Sequence, residues 1–299
     1  IGAAAGCAAA LGLTAVQAKH ALANAVTMAA ALQQAFATDS MGKPLHAGHA
    51  AEAGAMAAMV AKHGVIGAEG MFEGPRGFGQ AMSREVDWDS AVADLEKDYT
   101  ITHMTQKNHT CCGHTFAAID SMIALASEHN LGVDNVASIH IGTYSKGVEI
   151  CGNRDPKTVY EAKFSLPYAV AVGLVLGRAR FAAFSDEKLN DPDIRSVMSR
   201  IEFETDPDAE ARFPNFRSAT VKVETMDGAR YEHHSPTRKG DPDNPLSDAE
   251  LEDKYRELVE PVIGPDSASE LLEECWQLEK IDDVARIFHN CNVSIAQSI

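Results

Sequence analysis

No apolar run in this chain approaches the ~20 residues a helix needs to cross a bilayer, which excludes a helical membrane span. The most apolar stretch, Pro167 to Leu176, is followed at once by Gly177, Arg178 and Arg180, and it reads as a buried helix. Cysteine frameworks are missing too. The six cysteines (Cys7, Cys111, Cys112, Cys151, Cys275 and Cys291) form no CxxC pair and show no regular interval. Neighbouring Cys111 and Cys112 make poor partners for each other, so a reduced, cytoplasmic compartment is the expectation. The apolar opening, Ile1 to Leu11, has no basic residues ahead of it and no initiator Met, so no secretory leader is read there. The chain opens as though inside a helix, and we expect sequence upstream of it.

Positive charge is scarce. Lys and Arg number 26 against 43 Asp and Glu, a formal net charge of -17. No basic cluster opposes that field, which excludes nucleic acid as a partner. The same field repels anionic substrates. An enzyme of this composition acting on a polycarboxylate must therefore gather its Lys, Arg and His in one cleft. What remains is ordinary globular composition: 299 residues, 45% hydrophobic and 23% charged, enough for one large domain or two moderate ones. There is no internal repeat, and no low-complexity tract beyond the enrichment in alanine.

The first hundred residues carry helical patterns. Thr14 with Gln17 makes a capping box ahead of Ala15 to Phe36, a second helix fits His49 to His63 closed by Gly64, and a third fits Ser90 to about Tyr99. Strand patterns follow at Val136 to Thr143 and Val197 to Glu204. Two alternating runs across Ala219 to His233 meet at Asp227-Gly228, a strong hairpin signal. Helical patterns lie at Phe116 to His129 and Ala162 to Ala183. After the loop Gly240 to Pro245, Ser247 with Glu250 caps Leu251 to Val259, and Ser267 with Glu270 starts another helix. The fold class is mainly α with an α+β insert.

Two segments concentrate cationic groups. In Met41-Gly-Lys-Pro-Leu-His-Ala-Gly-His49, a loop entering the second helix, Lys43, His46 and His49 stand near a helix N-terminus, which itself attracts anions. They read equally as exposed residues capping a loop. In Lys107-Asn-His-Thr-Cys-Cys-Gly-His-Thr115, a turn before a helix gathers Lys107, His109, Cys111, Cys112 and His114. Zinc is a poor fit, because adjacent cysteines chelate awkwardly from one short loop and no second pair completes a site. A Lys or His acid/base is the better reading, beside the alternative of buried cysteines and a satisfied histidine. Glu73-Gly-Pro-Arg-Gly-Phe-Gly79 lacks the spacing of a phosphate loop and reads as a tight turn that orients Arg76.

Four ordered blocks, Lys43 to Gly67, Glu73 to Gly79, Lys107 to Asp120 and Glu161 to Leu174, resemble the MmgE/PrpD family, as does the opening IGAAAGCAAALGLT. The resemblance implies an all-helical domain built from residues 1–101 and a return segment, 240–299, with a smaller α+β lid over 102–239. It implies a homodimer, no metal or organic cofactor, and activity on a small di- or tricarboxylate as dehydratase, decarboxylase or epimerase. Lys43 and Lys107 match the family's cleft lysines. Cys112 stands where the decarboxylase branch places a catalytic histidine. Gly113-His114-Thr115-Phe116 replaces a commoner Arg-aromatic-Thr-His pattern, so His114 arrives two places early. The family's further helical region before this start, with its cleft Asp and His, would come from a longer precursor or a second chain, and this chain alone is expected to be inactive or poorly folded.

The mechanism so implied builds charge on a carbon α to a carboxylate. Lys43 and Lys107 hold carboxylates and stabilise the enolate-like state, Cys112 or His114 exchanges the proton, and His46, His49, Arg76 and His109 bind substrate. Tyr144 and Tyr160 are lid candidates, whereas Tyr168 reads as core. The alternative is a non-catalytic subunit or a degenerate carboxylate-binding member.

Overall fold

The computed structural model describes residues 1–36 and 42–291, and the chain divides into two units, residues 1–99 and residues 100–299. In the first unit, α1 (Gly2–Ala10), α2 (Ala15–Thr27) and α3 (Gly42–Lys62) are followed by two short helices, α4 (Phe78–Met82) and α5 (Trp88–Val92). The capping box that starts α2 is present: Gln17 N donates to Thr14 Oγ1, and Thr14 N donates to Gln17 Oε1 at 3.0 Å. Alanine sets how the long helices meet. Ala4, Ala8, Ala21, Ala23, Ala25, Ala53, Ala57, Ala58 and Ala61 are buried, and the backbones of α1 and α3 nearly touch. A Cβ on Gly54 would come within 2.5 Å of Ala3 Cβ and 2.7 Å of Ala4 N.

The second unit is built on a sheet. After α6 (Phe116–His129), β1 (Val136–Thr143) leads through α7 (Ser145–Cys151), α8 (Val159–Ala162), α9 (Leu166–Leu176), α10 (Asp186–Leu189) and α11 (Pro192–Met198) to β2 (Ile201–Thr205). Then come α12 (Pro207–Arg212), the hairpin β3 (Ala219–Thr225) and β4 (Arg230–Ser235), and finally α13 (Asp248–Ile263) and α14 (Pro265–Trp276). The strand order is β2-β1-β3-β4, with β1 and β2 parallel and the other pairs antiparallel. Along β3, Ala219, Val221 and Val223 face inward while Lys222 and Glu224 face out. Helix α6 packs on the inward side of β3 and β4, and α9 packs on α6; Phe116, Ile119, Met122, Leu125, Tyr168 and Val172 are all buried there. Among the described residues no helix is long and apolar enough to cross a membrane, and the Pro167 to Leu174 segment is fully buried, as its sequence predicts.

Several expectations need correction. The segment carrying Lys43, His46 and His49 is not a loop but the start of α3, with Met41 outside the described residues. Pro44 sits in the first turn, where its missing N–H would have had no intrahelical partner anyway. Helix α2 stops at Thr27 rather than Phe36, and Ala31 takes a positive φ of 134°; nothing in the local sequence accounts for that break. The helix expected over Ser90 to Tyr99 ends at Val92, with left-handed Glu96 (φ 67°) beyond it. Of the strand expected over Val197 to Glu204, Val197 and Met198 belong to α11, because Asp191 caps that helix through Asp193 N. The helix expected over Ala162 to Ala183 is divided by Ser165, whose hydroxyl caps α9, and by left-handed Gly177. Helix α14 begins at Pro265, ahead of Ser267.

Candidate active site around the Lys107 loop

Residues 105–115 have no regular structure, so their backbone groups must find partners elsewhere. Gln106 N donates to Gly240 O (2.8 Å), Thr110 N to Ala179 O (2.9 Å) and Cys112 N to Lys163 O (2.8 Å). Lys254 Nζ, from α13, donates to Lys107 O at 2.6 Å, and Arg180 Nη2 donates to Asn108 Oδ1 at 3.1 Å. Gly240 is fixed by geometry: its φ is +98°, and an added Cβ would lie 1.9 Å from Gln106 O. The loop is thus gripped by four distant segments.

Within it, Lys107 is exposed, donates to Cys111 O at 3.2 Å and stands 5.8 Å from the centroid of the Phe116 ring. His109 is only 2% exposed. Its Nε2 pairs with Asp120 Oδ1 at 2.9 Å, its ring meets Phe116 edge-on, and its buried Nδ1 has no partner among the described residues. Asp120 also accepts from Lys239 N, which ties the pair to the Gly240 loop. Cys111 is buried and bonds Thr115 Oγ1, and burial pushes its thiol up to about 12, so it stays a thiol. Cys112 is also buried, at 8% exposure. His114 is half-buried, with Nδ1 2.7 Å from the hydroxyl of Tyr144. Tyr144 stacks on Phe213 with centroids 4.5 Å apart. Burial raises its phenol above the ordinary range against the opposing fields of Arg217 and Arg238, so the phenol keeps its proton.

Sheet register explains why these groups meet. Thr143 pairs with Ala219, and Ala219 with Ser235, so Tyr144, Arg217 and Arg238 emerge at the same end of three adjacent strands. Arg238 is clamped to Asp241 by bonds from Nε (2.9 Å) and Nη2 (2.5 Å), and to Thr105 at 2.7 Å. Burial alone would raise the Asp241 carboxyl, but the bonds from Arg238 and Thr105 outweigh it and hold the group below the usual carboxylate range. On α13, burial and then the Arg180 and Lys107 cations push the Lys254 ammonium down.

The candidate residues of the sequence fall in both units. Lys43, His46 and His49 lie on the first turns of α3; Lys43 and His49 are exposed, and His49 Nε2 is 3.2 Å from Met28 O. Arg76 is exposed on a turn in which Gly74 N bonds Gly70 O and Gly77 N bonds Gly74 O. Lys107, Cys112 and His114 are brought to one loop of the second unit, while His109 turns inward to Asp120. Sequence reading missed Arg180, Arg217, Arg238 and Lys254. For two of them a signal existed: residues bracketing a hairpin stand side by side at its open end. Among the described residues no group of three or more His, Cys, Asp or Glu side chains is placed to hold a metal ion.

An open pocket of about 490 Å³ borders the His109–Asp120 pair, lined also by Arg180, Lys239 and Asp253. Its cations are balanced, Arg180 by Asp253 and Lys239 by Glu250. The surroundings of His114 are different, because Arg217 makes no ion pair among the described residues.

Comparison with known proteins agrees with this architecture. The chain is 27% identical over 280 residues to a human cis-aconitate decarboxylase, covering 91% of this chain and 57% of that protein. It is 24% identical to the mouse cis-aconitate decarboxylase, covering 91% and 56%, and 24% identical to the cis-aconitate decarboxylase-like protein oryM of Aspergillus oryzae, covering 93% and 60%. The chain therefore spans somewhat over half the length of the curated relatives it matches. Residues 1–91 match the MmgE/PrpD N-terminal domain and residues 109–278 the MmgE/PrpD C-terminal domain, so the chain belongs to the MmgE/PrpD family.

Proposed function

We propose that this protein is a lyase or isomerase of small di- and tricarboxylates that works through an enolate-like state without a cofactor, and that cis-aconitate is the first substrate to test. The observation that carries the reading is the Lys107 loop: in a chain of net charge -17, it carries an exposed lysine and a histidine bonded to a protonated tyrosine that lies in the field of two arginines. Bond cleavage at the carbon next to a carboxylate leaves an electron pair that delocalises onto the carboxylate oxygens. Lys43 and Lys107 offset that charge. His114 then gives or takes the proton. Because the Tyr144 phenol keeps its proton, its neutral oxygen can accept from Nδ1–H, which leaves the Nε2 lone pair to take the proton and the resulting imidazolium to give it back. Cys112 is the second candidate for proton exchange. His46, His49 and Arg76 orient the substrate, whereas the buried His109–Asp120 pair fixes the loop that carries Lys107.

The test is turnover of cis-aconitate and related acids by the protein at its native length. Lys107→Ala is expected to abolish turnover with the circular dichroism spectrum unchanged, since Lys107 is exposed and buries little on folding. Full activity in that variant would remove the lysine from the mechanism. Homodimer formation, implied by the family resemblance, is read from light scattering.

A further inference from the structure

Gly113 lies between Cys112 and His114, and its φ is not in the left-handed region, so the backbone there does not call for glycine. What its missing side chain permits is a close approach by two side chains. The position a Cβ would take is 3.1 Å from Arg238 Nη1 and 3.8 Å from Arg217 Nη1. Two guanidinium groups thus converge on one glycine, one residue away from the His114–Tyr144 pair. Their charges are not equivalent. Arg238 is neutralised by Asp241, but Arg217, half-buried, has no carboxylate partner among the described residues. Two acids that shortly precede Arg217 in the chain are engaged elsewhere: Asp206 accepts from Asp208 N and Ala209 N, and Glu210 from Ser145 N and Oγ. The Arg217 guanidinium charge is therefore not offset by a carboxylate of the described residues, and an anion can pair with it. Arginine presents a planar fork that matches a carboxylate.

We propose that Arg217 and Arg238, converging on Gly113 beside His114 and Tyr144, form a subsite that holds one carboxylate of the substrate. The proposal rests on the carboxylate reading above and deepens it: Lys107 stabilises charge at the reacting end, and the two arginines fix the molecule by another carboxylate. That requirement selects di- and tricarboxylates over monocarboxylates.

The experiment uses tricarballylate, a saturated tricarboxylate, as a calorimetric probe of the protein at its native length. Arg217→Gln is expected to weaken binding by about 10- to 100-fold, the loss of a charge-assisted hydrogen bond. Arg217→Lys should recover part of it. With cis-aconitate as substrate, Arg217→Gln should raise KM far more than it lowers kcat. If the unsubstituted protein binds tricarballylate and Arg217→Gln binds it equally well, the subsite is overturned while the proposed function stands. Should the unsubstituted protein bind neither tricarballylate nor succinate, the carboxylate reading fails, and the subsite with it. In case Arg217→Gln does not fold, the unsubstituted protein is treated with phenylglyoxal: tricarballylate should protect Arg217 from modification, and equal labelling with and without it would overturn the assignment.

Discussion

The first unit buries alanine where the second buries aromatic and branched side chains. Between α1, α2 and α3 the buried hydrophobic residues are Ala4, Ala8, Ala21, Ala23, Ala25, Ala53, Ala57, Ala58 and Ala61. Meanwhile Leu45, Met56, Met59 and Ile66 are exposed, Leu45 at 71% and Ile66 at 75%. The second unit encloses Tyr144, Tyr168, Phe116, Ile119, Met122 and Leu125 at 1% exposure or less. Burying a large apolar side chain contributes roughly 1.5–3 kcal/mol, against about 0.8 kcal/mol for a single methylene. The second unit thus draws its stability from volume, and the first from how closely its backbones approach. Lys43, His46 and His49 stand on the weaker scaffold, and Lys107 and His114 on the stronger one.

That contrast is open to attack by substitution. The largest effect is expected from Phe116→Ala. Phe116 is fully buried and touches both His109 and Lys107, so its loss should destabilise the second unit by about 3–5 kcal/mol. Denaturant melts should show it, and a loss under 1 kcal/mol would mean the core is not close-packed there. Asp241→Asn comes next, at about 1.5–3 kcal/mol near neutral pH, because it breaks the clamp on Arg238. Its sign with pH follows from the depressed carboxyl of Asp241. The clamp's contribution is present above the unfolded value of roughly 3.9 and is lost as pH falls through the lower folded value. The variant should therefore lose most at neutral pH and converge with the parent in acid. A constant difference across the acid range would dissociate the clamp from that titration. In the first unit, Gly54→Ala is expected to cost about 1–3 kcal/mol by driving α1 away from α3. This outweighs the roughly 1 kcal/mol that alanine gains over glycine within a helix. Hydrogen exchange should show α1 amides losing protection while those of α6 keep it.

Much of the second unit was legible from pattern. Phe116 to His129 and Val136 to Thr143 are helix and strand over the ranges the periodicity predicts, and the hairpin turns at Asp227-Gly228. Both capping boxes are present, at Thr14 and at Ser247. These are local signals, because the pattern that reveals each one lies within the element or its turn even where, as for β1, the pairing partners lie far along the chain. The failures share a cause as well. An alternating run such as Val197 to Glu204 suits a helix end or a strand, and the Asp191 cap places its first residues in the helix. Pro44 and Gly42 look like a loop until the unsatisfied N–H groups of a first helical turn are counted. The Lys107 motif stood out as a cluster of Lys, His and Cys within one loop. Its supports did not, because Arg180, Arg217, Arg238 and Lys254 lie 70 or more positions away and converge only through sheet register and the placing of α13.

The smallest effect is expected on the exposed face of the first unit. Met59 lies on α3 at 57% exposure. If solvent covers it, Met59→Gln removes no packing and keeps a good helix former, so stability should change by no more than about 0.5 kcal/mol. A melting temperature that drops well beyond that, and that rises with protein concentration, would show a covered face. The alanine core would then be only the inner layer of the first unit, and the large side chains of α3 a second layer contributed to an assembly. A small, concentration-independent change would leave close helix approach as what stabilises it, and would place the Gly54 contact, rather than any large side chain, at the centre of its stability.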